Sequence, residues 1–198
     1  MLEIRIHGRG GQGAVLASQI LSYAFFLEGK YSQSFPTFGA ERRGAPVSAF
    51  VRISDSFINI RSQVVSPHHV IVLSSRLADT VDVTSGIKNG GTVLINSLKP
   101  ASSYKFSGTP CRVFTLNINE IALKYSLGTK IMPMVNAPVL GAFARITDLL
   151  SVDSLLKALP HFIPANVDRN KKALHESYYA LAENNKKASL ALNMQKIA

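Results

Sequence analysis

The sequence predicts an α/β fold: a doubly wound, mostly parallel sheet with helices on both faces and a helical C-terminal part. Three observations carry it. A short apolar strand, a glycine turn and a long apolar stretch follow one another within residues 2–27. Apolar runs of strand length then alternate with helical segments as far as Leu116, the pattern of parallel strands joined by crossovers. Beyond Leu116 the apolar spacing turns helical.

Residues 2–6 (Leu-Glu-Ile-Arg-Ile) form the first strand, and His7 to Gly13 (His-Gly-Arg-Gly-Gly-Gln-Gly) form the turn. Leu16, Ile20, Ala24 and Leu27 recur at helical spacing, and Val15, Leu21 and Phe25 widen the stripe, so the helix over 14–27 is buried on most of its circumference until Gly29 ends it. Residues 31–35 make a second strand, stopped by Pro36, and a polar loop runs over 37–46. Residues 47–53 alternate apolar and polar as a half-exposed strand does. Strands are expected at 69–73, 91–96 and 112–116, with a short helix at 77–86. Asn117 or Asn119 caps a helix ending at Leu127 before Gly128, and Pro138 occupies the first turn of a helix over 139–150. Helices from 151 or 152 to 159 and from 165 to about 190 complete the chain. No internal repeat or linker divides it, so residues 1–198 are expected to form one domain.

Composition narrows the function. The chain is 46% hydrophobic and 17% charged, against roughly 25% charged in an average soluble domain. That shortage of surface charge points to partners covering part of the surface. The net charge of +10, from 22 Lys+Arg against 12 Asp+Glu, favours anionic ligands or partners. Lys157, Arg169, Lys171, Lys172, Lys186, Lys187 and Lys196 fall late in the chain and read as solvated helix faces. Without Trp or aromatics interleaved with Arg, no nucleic-acid surface is indicated. The single cysteine, Cys111, excludes an internal disulfide or an iron–sulfur cluster and reads as a small buried hydrophobe. His68-His69 at a strand start would point to opposite faces and do not suggest a metal site. The chain begins a strand within two residues, and the uncharged stretch 10–27 contains Gln12, Ser18, Gln19 and Ser22, so a cytoplasmic protein without membrane association is expected.

The glycine turn carries the first chemical signal. Gly8, Gly10 and Gly13 satisfy the G-x-G-x-x-G spacing, which lets a chain turn sharply and aim helix N-terminal amides at a phosphate. An ordinary NAD site also needs an acidic residue at the end of the second strand to hold a ribose hydroxyl. That strand ends Ser34-Phe35-Pro36, and Glu28 lies at the end of the helix instead. The loop after the second strand should leave the same sheet edge as the glycine turn and bring Arg42 and Arg43 beside it. Two guanidiniums there suit a phosphate or carboxylate. Equally, Glu41 could pair with one arginine and leave the other to solvent.

Gly8-Arg9-Gly10-Gly11-Gln12-Gly13, Phe35-Pro36, and Gly39-Ala40-Glu41-Arg42-Arg43-Gly44-Ala45-Pro46-Val47 together resemble the gamma subunit of 2-oxoacid:ferredoxin oxidoreductases, specifically the pyruvate or 2-ketoisovalerate type. Asn136-Ala137-Pro138-Val139-Leu140-Gly141-Ala142 resembles a later motif of the same family, and the likeness spans nearly the whole chain. The resemblance implies a Rossmann-like gamma domain, not catalytic alone. It would belong to a complex that converts a 2-oxoacid and coenzyme A to acyl-CoA and carbon dioxide while reducing ferredoxin. Thiamine diphosphate and magnesium would be held by alpha and beta partners, and iron–sulfur clusters by a delta partner and in many members the beta subunit; none would be held by this chain. The gamma chain would contribute to coenzyme A binding and to assembly, with room left for a homodimer of the isolated chain. Motif match and charge together assign coenzyme A contact to Gly10, Gly11, Gln12, Gly13, Arg42 and Arg43, with Gln12 meeting the ligand or orienting the loop. Asn136 joins them as a ligand contact, a loop-orienting group or a structural cap. The reading from a different class is a free-standing nucleotide-binding regulatory domain.

Overall fold

Each strand anticipated from the sequence forms, and together they make a mixed six-stranded sheet in the order β2-β3-β1-β4-β5-β6. The computed structural model describes the backbone of residues 1–37 and 44–195 and the side chains of residues 1–37 and 44–181. The strands are β1 (Leu2–Arg9), β2 (Tyr31–Pro36), β3 (Pro46–Ser54), β4 (His69–Val72), β5 (Gly91–Asn96) and β6 (Cys111–Leu116). β1, β4, β5 and β6 are parallel neighbours. β3 runs antiparallel to both β1 and β2, so an antiparallel hairpin replaces a second crossover on that side. The reason is length: residues 37–45 connect β2 to β3, fewer than the dozen or so that a parallel crossover takes.

Among the described residues six α-helices complete the fold: α1 (Ala14–Leu27), α2 (Ser75–Thr80), α3 (Ile118–Lys124), α4 (Pro138–Thr147), α5 (Val152–Phe162) and α6 (Val167–Gln195). They divide unequally between the two faces of the sheet. Ile4, Ile6, Ile71, Leu73 and Leu94 share one core with residues of α1, α3, α4, α5 and α6. Val70, Val72, Val93 and Ile95 form a smaller core on the other face, closed by Leu77 of α2 and by Val83 and Ile87. α1 lies between the sheet and α5, which explains its wide apolar stripe; Ala17, Ile20, Leu21 and Ala24 are fully buried. Buried Ile and Leu side chains of this kind each contribute roughly 1.5–3 kcal/mol relative to exposure.

Local chemistry sets the helix ends. Asn117 caps α3 by accepting from the Glu120 amide, and Ser151 caps α5 by accepting from Ser154. α2 stops at Thr80, short of the expected 86, because Asp82 Oδ1 accepts from both the amide and the hydroxyl of Thr84 and turns the chain. α4 ends at Thr147 with Asp148 in the left-handed region. α4 and α6 pack closely where a Cβ on Gly141 would run into the carbonyl of Leu174, so the glycine of the Asn-Ala-Pro-Val-Leu-Gly-Ala motif serves helix packing.

β3 departs from the half-exposed strand that its alternation suggested. Ala49, Phe50, Val51, Arg52 and Ile53 are all buried. Arg52 is 2% exposed and donates to Glu3 Oε1 at 2.9 Å and to the carbonyls of Ile60 and Gln63 at 3.3 Å each. The segment following β3 therefore folds back over the strand and satisfies the guanidinium. Cys111 is partly rather than fully buried, and desolvation raises its thiol pKa.

Candidate cleft at the glycine turn

β1 continues through His7, Gly8 and Arg9, so the turn proper is Gly10 to Gly13. Gly8 lies within the strand, where a Cβ would come within 2.9 Å of Ala14 Cβ; its absence lets α1 start directly against the sheet. Gly13 is the N-terminal cap of α1 in a left-handed conformation, φ 78°, which costs an L residue with a side chain roughly 1–2 kcal/mol. Its carbonyl accepts from Ala17 at 2.9 Å and so begins the helical ladder. Among the described residues no side chain caps α1, and no acidic residue occupies its first turn. The first amides of the helix carry the partial positive charge of its N-terminus, and among the described residues no carboxylate is bonded to them.

Those amides line a cleft of about 440 Å³, walled by Arg9, residues 10–16, Gln19, Val47, Met134 and Asn136. The structure therefore brings Gly10, Gly11, Gln12, Gly13 and Asn136 together. Gln12 is held by the turn itself: its Oε1 accepts from the Arg9 amide at 2.9 Å while its own amide donates to the Arg9 carbonyl at 2.9 Å. That geometry fits the loop-orienting alternative for Gln12. Asn136 is 2% exposed, and its Oδ1 accepts from the adjacent Ala137 amide at 2.9 Å. Its Nδ2 stands 2.8 Å from the place of a Cβ on residue 13. Asn136 is not the cap of α4, whose cap position belongs to Ala137 without a side-chain bond.

Arg42 and Arg43 lie outside the described residues, as does Glu41, the alternative partner for one of them. The two ends of their segment are described. The Thr37 amide donates to the Ser48 carbonyl at 2.7 Å, Gly44 donates to Gly10 at 3.2 Å, and Gly10 donates to Ala45 at 2.9 Å. The expected neighbourhood of loop and glycine turn therefore forms, although through the hairpin. The antiparallel neighbour also explains the missing ribose acid: the N-terminal end of β3, with Pro46 opposite Arg9, occupies the position beside the turn.

Seven lining residues were not among the site residues read from the sequence, three of them (Ala14, Val15 and Leu16) in the first turn of α1. Arg9 brings a guanidinium to the cleft and steadies it by donating from Nε to the Gly44 carbonyl at 3.2 Å. It lay inside the glycine string itself, which was the available signal. Val47 closed the Arg-Arg motif, whereas Gln19 and Met134 carried no signal, since their approach depends on how the helix and the segment before Asn136 pack. Among the described residues no group of three His, Cys, Asp or Glu could hold a metal ion, and no helix is long and apolar enough to cross a membrane.

The family model for pyruvate ferredoxin/flavodoxin oxidoreductase matches residues 3–180. The chain belongs to that family. Within it, the pyruvate synthase subunit PorC of Methanothermobacter thermautotrophicus is 49% identical over 179 residues, covering 90% of this chain and 94% of that protein. The pyruvate/ketoisovalerate oxidoreductases common subunit gamma of Thermococcus litoralis is 45% identical over 181 residues, covering 90% and 96%. The crystal structure of the pyruvate oxidoreductase subunit PORC from Thermotoga maritima shares the fold with a TM-score of 0.76 at 34% identity, covering 90% of this chain and 95% of that one. The gamma-subunit resemblance carried by the glycine string and the Arg-Arg loop is thereby borne out at the level of the family.

Proposed function

We propose that this chain is the gamma subunit of a cytoplasmic, thiamine diphosphate-dependent pyruvate or 2-ketoisovalerate:ferredoxin oxidoreductase, with residues 1–198 forming one gamma domain. The complex converts the 2-oxoacid and coenzyme A to acyl-CoA and carbon dioxide and passes the electrons to ferredoxin. This chain presents a coenzyme A surface and assembly contacts to alpha, beta and delta partners. Thiamine diphosphate and magnesium, held by the alpha and beta partners, supply the decarboxylation chemistry, and partner iron–sulfur clusters carry the electrons.

The observation that carries the coenzyme A assignment is the uncapped start of α1 in a cleft that Arg9 lines. Helix N-terminal amides that no described side chain caps, a nearby guanidinium and the lack of a first-turn carboxylate suit a phosphate, of which coenzyme A has several. Arg42 and Arg43 would add bidentate donors from the loop whose C-terminal end, Gly44 and Ala45, bonds to the same turn. Gln12 shapes the turn from behind, and Asn136 buttresses Gly13.

Reconstitution with and without this chain tests the reading. Ferredoxin reduction that depends on 2-oxoacid and coenzyme A should require it, and a tagged copy should co-purify with three further subunits. Full activity without the chain, or a chain that purifies alone and binds a nucleotide by itself, would replace this reading with the free-standing regulatory domain.

A further inference from the structure

β2 is an edge strand: among the described residues it pairs with β3 on one side and with nothing on the other. The bond from the Thr37 amide to the Ser48 carbonyl, in register with the ladder, shows that odd-numbered residues of this segment turn their backbone groups toward β3. Ser32 and Ser34 therefore turn theirs outward. Pro36 shares that parity, so the amide hydrogen it lacks is one the hairpin never uses.

The strand reads Tyr31-Ser32-Gln33-Ser34-Phe35, which is nearly the same in both directions. An antiparallel copy centred on Gln33 sets Tyr31 against Phe35 of the second copy and Ser32 against its Ser34. In that register each outward N–H and C=O of Ser32 and Ser34 meets its complement, and Pro36 stays outside the ladder. Charge agrees. Residues 31–37 are uncharged in a chain of net charge +10, and the neighbouring Lys30 is already paired with Asp55. Two like-charged copies can thus approach along this edge without setting cation against cation. Apolar surface flanks both sides of the edge. Tyr31, 51% exposed, meets Phe57, 72% exposed, edge-to-face at 6.3 Å, and Phe26, 59% exposed, rims a groove that includes Ser32, Ser34 and Phe162.

We infer that the β2 edge is a two-fold docking surface for a second copy of this chain, joining two sheets into one continuous sheet through antiparallel β2–β2 pairing. The self-complementary sequence is what such an isologous contact requires. Aromatic pairs across the two-fold, with Phe57 extending the layer, bury the side chains that the edge leaves open. This inference is independent of the coenzyme A cleft, which lies at the other end of the hairpin connection.

Sedimentation equilibrium of the full-length chain over a range of concentrations tests it. A monomer–dimer equilibrium is expected, and Ser34→Pro, which removes an outward amide and no bond to β3, should weaken it at least tenfold while leaving the circular dichroism unchanged. Should that variant fail to fold, Gln33→Cys in a Cys111→Ala background decides, since residue 33 faces its own copy across the two-fold, with Cα atoms about 4.5 Å apart in a non-hydrogen-bonded pair. Rapid disulfide-linked dimer on mild oxidation, absent from a Ser56→Cys control, supports the contact. A chain that stays monomeric at every concentration without cross-linking overturns it. A dimer that Ser34→Pro leaves unweakened, or a Gln33→Cys chain that cross-links only to a different subunit in the complex, also overturns it.

Discussion

Asn136 Nδ2 stands 2.8 Å from the position a Cβ on Gly13 would take, and Asn136 is 2% exposed. The cap of α1 and the residue before the cap of α4 are thus a matched pair, one needing no side chain and the other filling the space. Gly13→Ala should lose stability twice, by about 1–2 kcal/mol for the left-handed backbone and by a further amount for the clash. Asn136→Gly should recover the second loss and not the first. Urea unfolding midpoints of the two single variants and the double variant check this, and strictly additive changes would break the coupling.

Acid sensitivity should come from the histidines on the strands. Burial, reinforced by the Arg5 charge and opposed by Asp82, pushes His7 down to about 4, and burial with nearby His68 and Arg112 does the same to His69. The unfolded chain binds protons at these sites near pH 6.5, whereas the folded chain resists until about pH 4. Their contribution is therefore intact above pH 6.5 and is lost as the pH falls from 6.5 to 4. For His7 the loss reaches up to about 3 kcal/mol by the linkage relation. Unfolding midpoints at intervals from pH 7.5 to 4.5 should fall, and the fall should be shallower in His7→Leu; parallel curves would contradict the assignment.

Arg52 holds the segment after β3 through Glu3 and two backbone carbonyls. Arg52→Met strands a carboxylate that is only 14% exposed, so a cost of about 3–5 kcal/mol is expected. Arg52→Lys should recover part of it at most, because a single ammonium cannot span partners that a guanidinium reaches with separate nitrogens. Thermal unfolding of the two variants measures the difference, and a fully stable Arg52→Lys would count against the fork geometry.

What the sequence revealed follows from which signals are local. The strand, glycine turn and helix over residues 2–27 are encoded by adjacent residues, and the structure reproduces them with Gly8 and Gly13 in distinct roles. The direction of β3 was less accessible, because alternation over residues 47–53 suits a strand of either sense. The short 37–45 connection was the unused clue. Burial of Arg52 could not be foreseen from its own strand, since the residues that satisfy it are contributed by β1 and by the chain beyond β3. In the cleft, the glycines and Gln12 were legible as a motif and Asn136 through its resemblance to a later one. Met134 and Gln19 enter only through packing.

The central claim is that the turn beside β3 binds the phosphates of coenzyme A within the assembled complex. Calorimetric titration of coenzyme A into the reconstituted complex, wild type against Arg42→Ala/Arg43→Ala, tests it most directly. The account predicts an affinity at least tenfold weaker with the complex still assembled; an unchanged dissociation constant would contradict it.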